Sequence, residues 1–378
     1  MTRTTQHMKK RPPIMFQHKR QFTITRQGGF TLIELMVSLV LGLILIGGVL
    51  NIFVSNRETY RVTENLTRMQ ENARTGFDFM ARDLREAGQN PCGTTLVANV
   101  IRKTGAIPWW ADWNKGAVIG VDGTQDRTDI VAFGTGTNAR VAGTDAVLVI
   151  RAAQDEKIIA AHDASTFDLT LNSVTGLVVD DVVVGCDLKN AAVFQIGTIS
   201  TTTKVINYGP TFAPLNCSGA QLGFPAPLSC TPLVAKVFDA GGMVSKLTAT
   251  FWYVGYAAGK RSLFRTRIIK KTIASVPTIT TEPEEMVTGV QDLQMVYLTR
   301  EGSTLATDWV SATDSASFPG ASATATGNWR TDDPTNQPKQ AVATRVTITL
   351  QSEDKVGTNQ LPIQRQLIHV VSLRGRNI

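Results

Sequence analysis

The chain has 378 residues, enough for one large domain or two small ones, and its 43% apolar content excludes a disordered or low-complexity class. The formal net charge of +7 is uneven: Arg3, Lys9, Lys10, Arg11, Lys19, Arg20 and Arg26 precede residue 30 with no acid among them. From residue 30 onward basic and acidic residues balance, so no basic patch supports a nucleic-acid partner.

Residues 1–29 are a basic leader. Residues 28–36 then read GGFTLIELM and open an apolar run to Phe53, about 36 Å long as a helix, enough to span a bilayer. A secretory signal places its apolar stretch before the cut; here the candidate cut, Gly29–Phe30, precedes the stretch, which is retained. An upstream start site, with true initiation at Met8 or Met15, would shorten the leader. The preceding basic residues are expected to stay cytoplasmic, with the bulk of the chain outside the inner membrane. Glu34 is the one acid in this run, and a carboxylate there costs roughly 2.5–3.5 kcal/mol on insertion scales. Such a residue is expected to have a role.

The helix is expected to continue beyond the apolar run, from Phe30 to Ala87. Val62, Leu66, Met69, Ala73, Phe77, Met80, Leu84 and Ala87 recur at intervals of three and four, one face of an amphipathic helix over residues 54–88. Arg61, Glu64, Arg68, Glu71, Arg74, Asp78, Arg82, Asp83 and Arg85 form the expected polar face. Gly88 and Pro91 are stop signals. The abrupt change after Gly88 favours packing on a sheet over a free coiled coil.

Residues 89–378 read as a β-rich domain. Strands are expected near 117–121, 128–133, 145–151, 166–171, 180–184, 192–199, 234–238, 247–256, 261–269, 291–298, 342–351 and 364–374. Residues 301–340, rich in Ser, Thr, Ala, Gly and Asp, read as a surface loop or insertion. The predicted class is α+β: a long N-terminal helix packed on a largely antiparallel β-rich domain.

Cys92, Cys186, Cys217 and Cys230 form an even count in an exported domain, which suggests two disulfides among three possible connectivities. Cys217–Cys230 closing a short loop, with Cys92–Cys186 as the long-range staple, is favoured. No Cys/His spacing suggests zinc. Of the histidines after the leader, His162 and His369 are isolated, and His369 in its apolar strand reads as structural. No nucleophile elbow, phosphate loop or metal cluster is evident, so no catalytic residue, cofactor or metal is assigned and enzymatic activity is not expected. Asp122, Asp126 and Asp129 lack calcium-loop spacing and read as a polar turn more readily than as a cation site. Trp109, Trp110 and Trp113 read as a loop pinned on the sheet, with a partner or adhesive surface as the alternative.

The basic leader, Gly29, Phe30, Glu34 and the apolar run in register resemble the signal of type IV prepilins. Further marks resemble minor pilins of the PilW type: Arg85-Glu86-Ala87-Gly88 with Cys92-Gly93, Trp109-Trp110, Gly143-Thr144-Asp145, Gly185-Cys186, Gly289–Gln294, Val342–Asp354 and Val371–Arg374. The resemblance implies a type IV pilin-like fold, cleavage after Gly29 by a prepilin peptidase and N-methylation of Phe30. It also implies an assembly role for Glu34, which would meet the N-terminal amine of a neighbouring subunit. The implied partners are the peptidase/methyltransferase, other minor pilins and the major pilin, the inner-membrane assembly platform and a tip adhesin. The implied setting is single-pass insertion in the inner membrane, then the fibre, with adhesion and twitching motility as the processes served. A J-type pseudopilin of type II secretion and a membrane-anchored adhesive module are the alternatives.

Overall fold

In the computed structural model, residues 29–93, 97–101, 108–111, 117–217, 222, 236–273, 276–301, 303–312, 340–357 and 359–373 are described. The chain divides into two units, Met1–Thr59 and Tyr60–Ile378, considered separately below. The helix α1 (Leu32–Arg85) begins in the first and ends in the second.

In the second unit the helix face forms as its periodicity dictates. Met69, Ala73, Phe77, Met80 and Leu84 are buried, and Val62 and Leu66 are half-buried. Gly76, a poor helix former, lies on the same face because the sheet comes close. A Cβ there would sit 3.1 Å from Val287 Cγ2 and 3.2 Å from Leu263 Cδ2. The helix ends two residues before the expected Ala87. Gly88 then adopts a left-handed φ of 76° and donates its N–H to the Ile150 carbonyl at 2.9 Å.

The strands that follow are β1 (Val97–Asn99), β2 (Val118–Val121), β3 (Ala146–Ala152), β4 (Lys157–Asp163), β5 (Asp168–Leu171), β6 (Val182–Cys186), β7 (Ala191–Gln195), β8 (Thr198–Ser200) and β9 (Val205–Asn207). Then come β10 (Met243–Ala257), β11 (Lys260–Ile273), β12 (Val276–Thr288), β13 (Val290–Glu301), β14 (Thr304–Ser311), β15 (Gln340–Gln351) and β16 (Gln364–Ser372). A 12-stranded sheet is organised around β10. That strand pairs antiparallel with β4 and β6 through its first residues, with β3 along its middle and with β11 along its end. A second, 4-stranded sheet has the order β14-β13-β15-β16.

The helix from Met69 to Leu84 shares one core with both sheets: Val147, Val149, Trp252 and Val287 come from the first, and Leu293, Met295, Tyr297, Val346, Ile348 and Val371 from the second. The other face of the first sheet buries Ile119, Leu148, Phe251, Tyr253 and Phe264 in a separate cluster.

Four expectations need correction. Residues 128–133 form no strand; isolated bridges, Arg127 to Val131 and Phe133 to Arg140, replace it, and the Phe133 ring lies against the buried Arg140 guanidinium, 4.8 Å away. Of the expected strand at 234–238, residues 236–238 are irregular and the rest lies outside the described residues. The 301–340 segment is not all loop, since β14 pairs with β13; residues 313–339 lie outside the described residues. Asp83 leaves the expected polar face and is buried.

Candidate functional site at the helix N-terminus

Gly29 and Phe30 are irregular and exposed, and the helix starts at Leu32. Thr31 caps it. Its hydroxyl accepts the Glu34 N–H at 3.3 Å, and its carbonyl accepts the Leu35 N–H at 3.1 Å. Glu34 Oε2 in turn lies 3.5 Å from the Thr31 nitrogen and 3.4 Å from its hydroxyl. Thr31-Leu32-Ile33-Glu34 is thus a capping box, a signal present in the sequence that the reading from charge alone passed over. The carboxylate contacts are long, so this cap is weak. A cap of this kind contributes about 1 kcal/mol, whereas an unpaired carboxylate in lipid costs more. Apart from this cap, the Glu34 side chain is exposed.

The apolar run is exposed on all sides, with none of its residues buried. By length and composition it can cross a membrane. Residues 24–50 match the family model described as the prokaryotic N-terminal methylation motif. The chain carries a type IV pilin-like prepilin signal. The match contains Gly29, Phe30 and Glu34, and it indicates a pilin-like or pseudopilin protein processed by a prepilin peptidase and assembled with pilus-type components. The N-terminal apolar helix fits a membrane anchor. No curated protein matches the chain.

Elsewhere the sequence-derived candidates resolve into structural roles. Cys92, just past the helix, is bonded to Cys186 of β6 with a Cα–Cα distance of 5.9 Å. Cys217 is also disulfide-bonded, and Cys230 lies outside the described residues. Trp110 is buried and Trp109 packs half-buried against the same cluster, as a pinned loop requires; Trp113 lies outside the described residues. His162 Nδ1 accepts the Phe238 N–H at 2.8 Å, which places the proton on Nε2, 2.8 Å from the Tyr208 hydroxyl. Burial pushes its pKa down to about 4, so it is neutral and fully engaged. His369 stacks on Phe77.

The acidic turn is organised by a cation supplied by the chain itself. Arg140, fully buried, donates to the carbonyls of Gln125 (2.8 Å), Asp122 (3.1 Å) and Thr144 (2.7 Å). Burial pushes its pKa down to about 10, which still leaves it charged at neutral pH. The carboxylates point to other partners: Asp122 accepts from Thr124, Asp126 from the Phe133 N–H, and Asp129 pairs with Arg127 at 2.7 Å.

The sequence reading missed two buried acids. Asp83 accepts the Trp252 Nε1–H at 2.9 Å and lies 3.7 Å from Arg151, which also pairs with Glu86 at 3.2 Å. Burial raises its pKa, opposed by the Trp252 hydrogen bond and by Arg151. Its position was legible, since residue 83 lies three beyond Met80 and four before Ala87, on the apolar face. Asp145 accepts the N–H of Gly123 at 2.9 Å and of Met295 at 2.7 Å, tying the turn after β2 to β13. Burial pushes its pKa up to about 6.

Proposed function

We propose that this chain is a minor pilin of the PilW type in a Gram-negative type IV pilus system. The observation that carries the reading is Glu34 at the start of an otherwise uncharged membrane-length helix, immediately after Gly29–Phe30. Cleavage between these two residues frees an ammonium on Phe30, and N-methylation would make it more apolar without removing its charge. That cation and Glu34 on neighbouring subunits would each relieve the other's cost in lipid. The helix anchors the subunit in the inner membrane and then enters the fibre core. The β-rich domain faces the periplasm and then the fibre surface or tip, where other minor pilins and an adhesin are the partners. The protein contributes a helix, one charge and docking surfaces rather than catalysis, and it primes assembly.

N-terminal mass spectrometry of protein from membranes and sheared fibres is the test. A mature chain beginning with N-methylated Phe30 in the fibre fraction is expected. An intact leader would sink the reading, as would normal processing of Gly29→Ala. Deletion separates the main rival: loss of pili fits a pilus initiator, whereas loss of secreted enzymes with pili intact fits a J-type pseudopilin.

A further inference from the structure

Three segments of the second unit meet near the start of its helix. Asn65 of the helix holds the connection between β15 and β16: its Nδ2 donates to Asp354 Oδ2 at 3.2 Å, and its Oδ1 accepts the Asp354 N–H at 3.4 Å. Arg61 lies 3.7 Å from the same carboxylate. The preceding residue, Glu353, pairs at 3.6 Å with Lys260, the first residue of β11. This end of the domain lies close to the apolar run along the chain. Only about 12 Å of helix, little more than two turns, separates Arg61 from Phe53. At the other end of the helix, past its last turn, Cys92 is bonded to Cys186.

Charge at this end is unbalanced, although the chain from residue 30 onward is neutral as a whole. Asp354 and Glu353 are each held by a base, and the neighbouring Glu64 pairs with Arg68. Arg261, Lys355 and Arg365 face no carboxylate within ion-pair distance among the described residues. Arg261 donates to the Gln291 carbonyl, and Lys355 and Arg365 are exposed. The same connection exposes a large apolar side chain. Leu361 is 55% exposed, yet its backbone is fixed: its carbonyl accepts the Gly357 N–H at 2.9 Å, and its own N–H donates to Asn359 Oδ1 at 3.1 Å. The loop folds so tightly that a Cβ on Gly357 would lie 2.6 Å from the Leu361 carbonyl oxygen. Surplus cations with an exposed leucine on an ordered loop suit a surface that is anionic outside and apolar beneath.

We propose that the β15–β16 connection rests on the bilayer that anchors this chain, with Leu361 entering the interface and Lys355, Arg261 and Arg365 facing the phosphates of anionic lipids. Connectivity and charge together select this occupant. The chain's own helix brings a bilayer to within about two turns of Arg61. A surface tethered so closely needs only weak contacts, because its effective concentration is high. The contact orients the β-rich domain on the membrane before the subunit leaves it. The inference rests on the apolar run as a membrane anchor and not on the choice among pilin families.

The test places the full chain in nanodiscs of phosphatidylcholine alone or of phosphatidylcholine with phosphatidylglycerol. Leu361→p-benzoylphenylalanine supplies a photocrosslinker. The same probe at Leu188, 92% exposed and just beyond Cys186, reports the other end. Mass spectrometry after irradiation should find lipid adducts at 361 and not at 188, increased about threefold or more by phosphatidylglycerol. Lys355→Gln combined with Arg365→Gln, both at exposed positions, should abolish that increase and keep the wild-type thermal transition. No lipid adduct at 361, equal adducts at 361 and 188, or adducts indifferent to phosphatidylglycerol each overturn the proposal. A crosslink from 361 to a second copy in place of lipid does the same. A chain that does not stay in the nanodisc overturns the proposal and the anchor together. Absence from sheared fibres counts against the pilin assignment alone, because the nanodisc result does not depend on assembly.

Discussion

The Phe77 ring of the helix lies stacked on the His369 ring of β16, with centroids 3.8 Å apart and planes 21° from parallel. Phe77 is buried within the core shared by the helix and both sheets, whereas His369 is half-buried on the last strand of the smaller sheet. The stack holds β16 against the part of the helix that lies in the second unit.

Phe77→Ala should therefore destabilise the folded domain by about 3 kcal/mol, the range for removing a buried aromatic ring. His369→Ala should cost less, about 1 kcal/mol, because it loses a ring contact at a site already part-exposed. Urea unfolding of the two variants measures both; a smaller loss for Phe77→Ala than for His369→Ala would contradict the placement of the core.

Asp83 should behave as a buried acceptor and not as a surface charge. Asp83→Ala leaves the Trp252 indole N–H, fully buried, without its partner, at a cost of roughly 2–3 kcal/mol. Asp83→Asn keeps an acceptor and should lose less. Denaturant midpoints together with Trp fluorescence report the difference, and equal losses in the two variants would show that the hydrogen bond is not the cause.

The Cys92–Cys186 bond closes a sequence separation of 94 residues and holds the chain after the helix to β6. Cys92→Ser should lower stability by about 2–4 kcal/mol, as expected for a crosslink over a long loop. The thermal transition of the variant in detergent, compared with wild type, gives the result directly.

Asp145 makes stability depend on pH in a direction opposite to that of most native carboxylates. Its folded pKa is pushed up to about 6 from an ordinary 3.8, so between these values the folded state binds the extra proton. Its contribution is most favourable below pH 4 and declines as pH rises from about 4 to 6, by about 3 kcal/mol in all. His162, with a folded pKa of about 4 against an ordinary 6.5, acts the other way and loses stability as pH falls through the same window. His162→Asn should therefore unmask a fall in stability between pH 4 and 6.5 that wild type partly cancels. A series of unfolding curves across this window tests the sign, and a variant whose stability still rises with pH would contradict it.

Glu34 and Thr31 separate a capping role from a charge role. Thr31→Ala removes the hydroxyl that accepts the Glu34 N–H and should cost the helix start about 1 kcal/mol. Glu34→Ala also removes the carboxylate. Both variants should be cleaved, but Glu34→Ala should be far poorer in sheared fibres. Immunoblots of membrane and fibre fractions compare them, and equal incorporation of the two would reduce Glu34 to a helix cap.

Much of the helix was legible because its two signals are local. An uninterrupted apolar run and a three-to-four residue spacing need no distant partner to be recognised, and only its ends shifted, from Phe30 and Ala87 to Leu32 and Arg85. Strands with clear alternation, such as β10 and β15, were legible for the same reason. β12 was not, because its prolines and glutamates mark an edge strand and read locally as loop. Residues 128–133 misled in the other direction, since their strand-like composition forms only isolated bridges and sets the Phe133 ring against Arg140.

By itself the sequence determined the prepilin signal, the membrane-length helix and its amphipathic continuation, because charge, hydropathy and period are properties of the chain. Only the tertiary structure decided among the three cysteine pairings, bonding Cys92 to Cys186 as favoured, and decided that Asp83 turns inward to Trp252, that Arg140 fills the acidic turn, and that β16 is the last strand of the smaller sheet among the described residues. Each of these depends on which strands become neighbours, and that is set by the summed burial of distant residues rather than by any segment's own pattern.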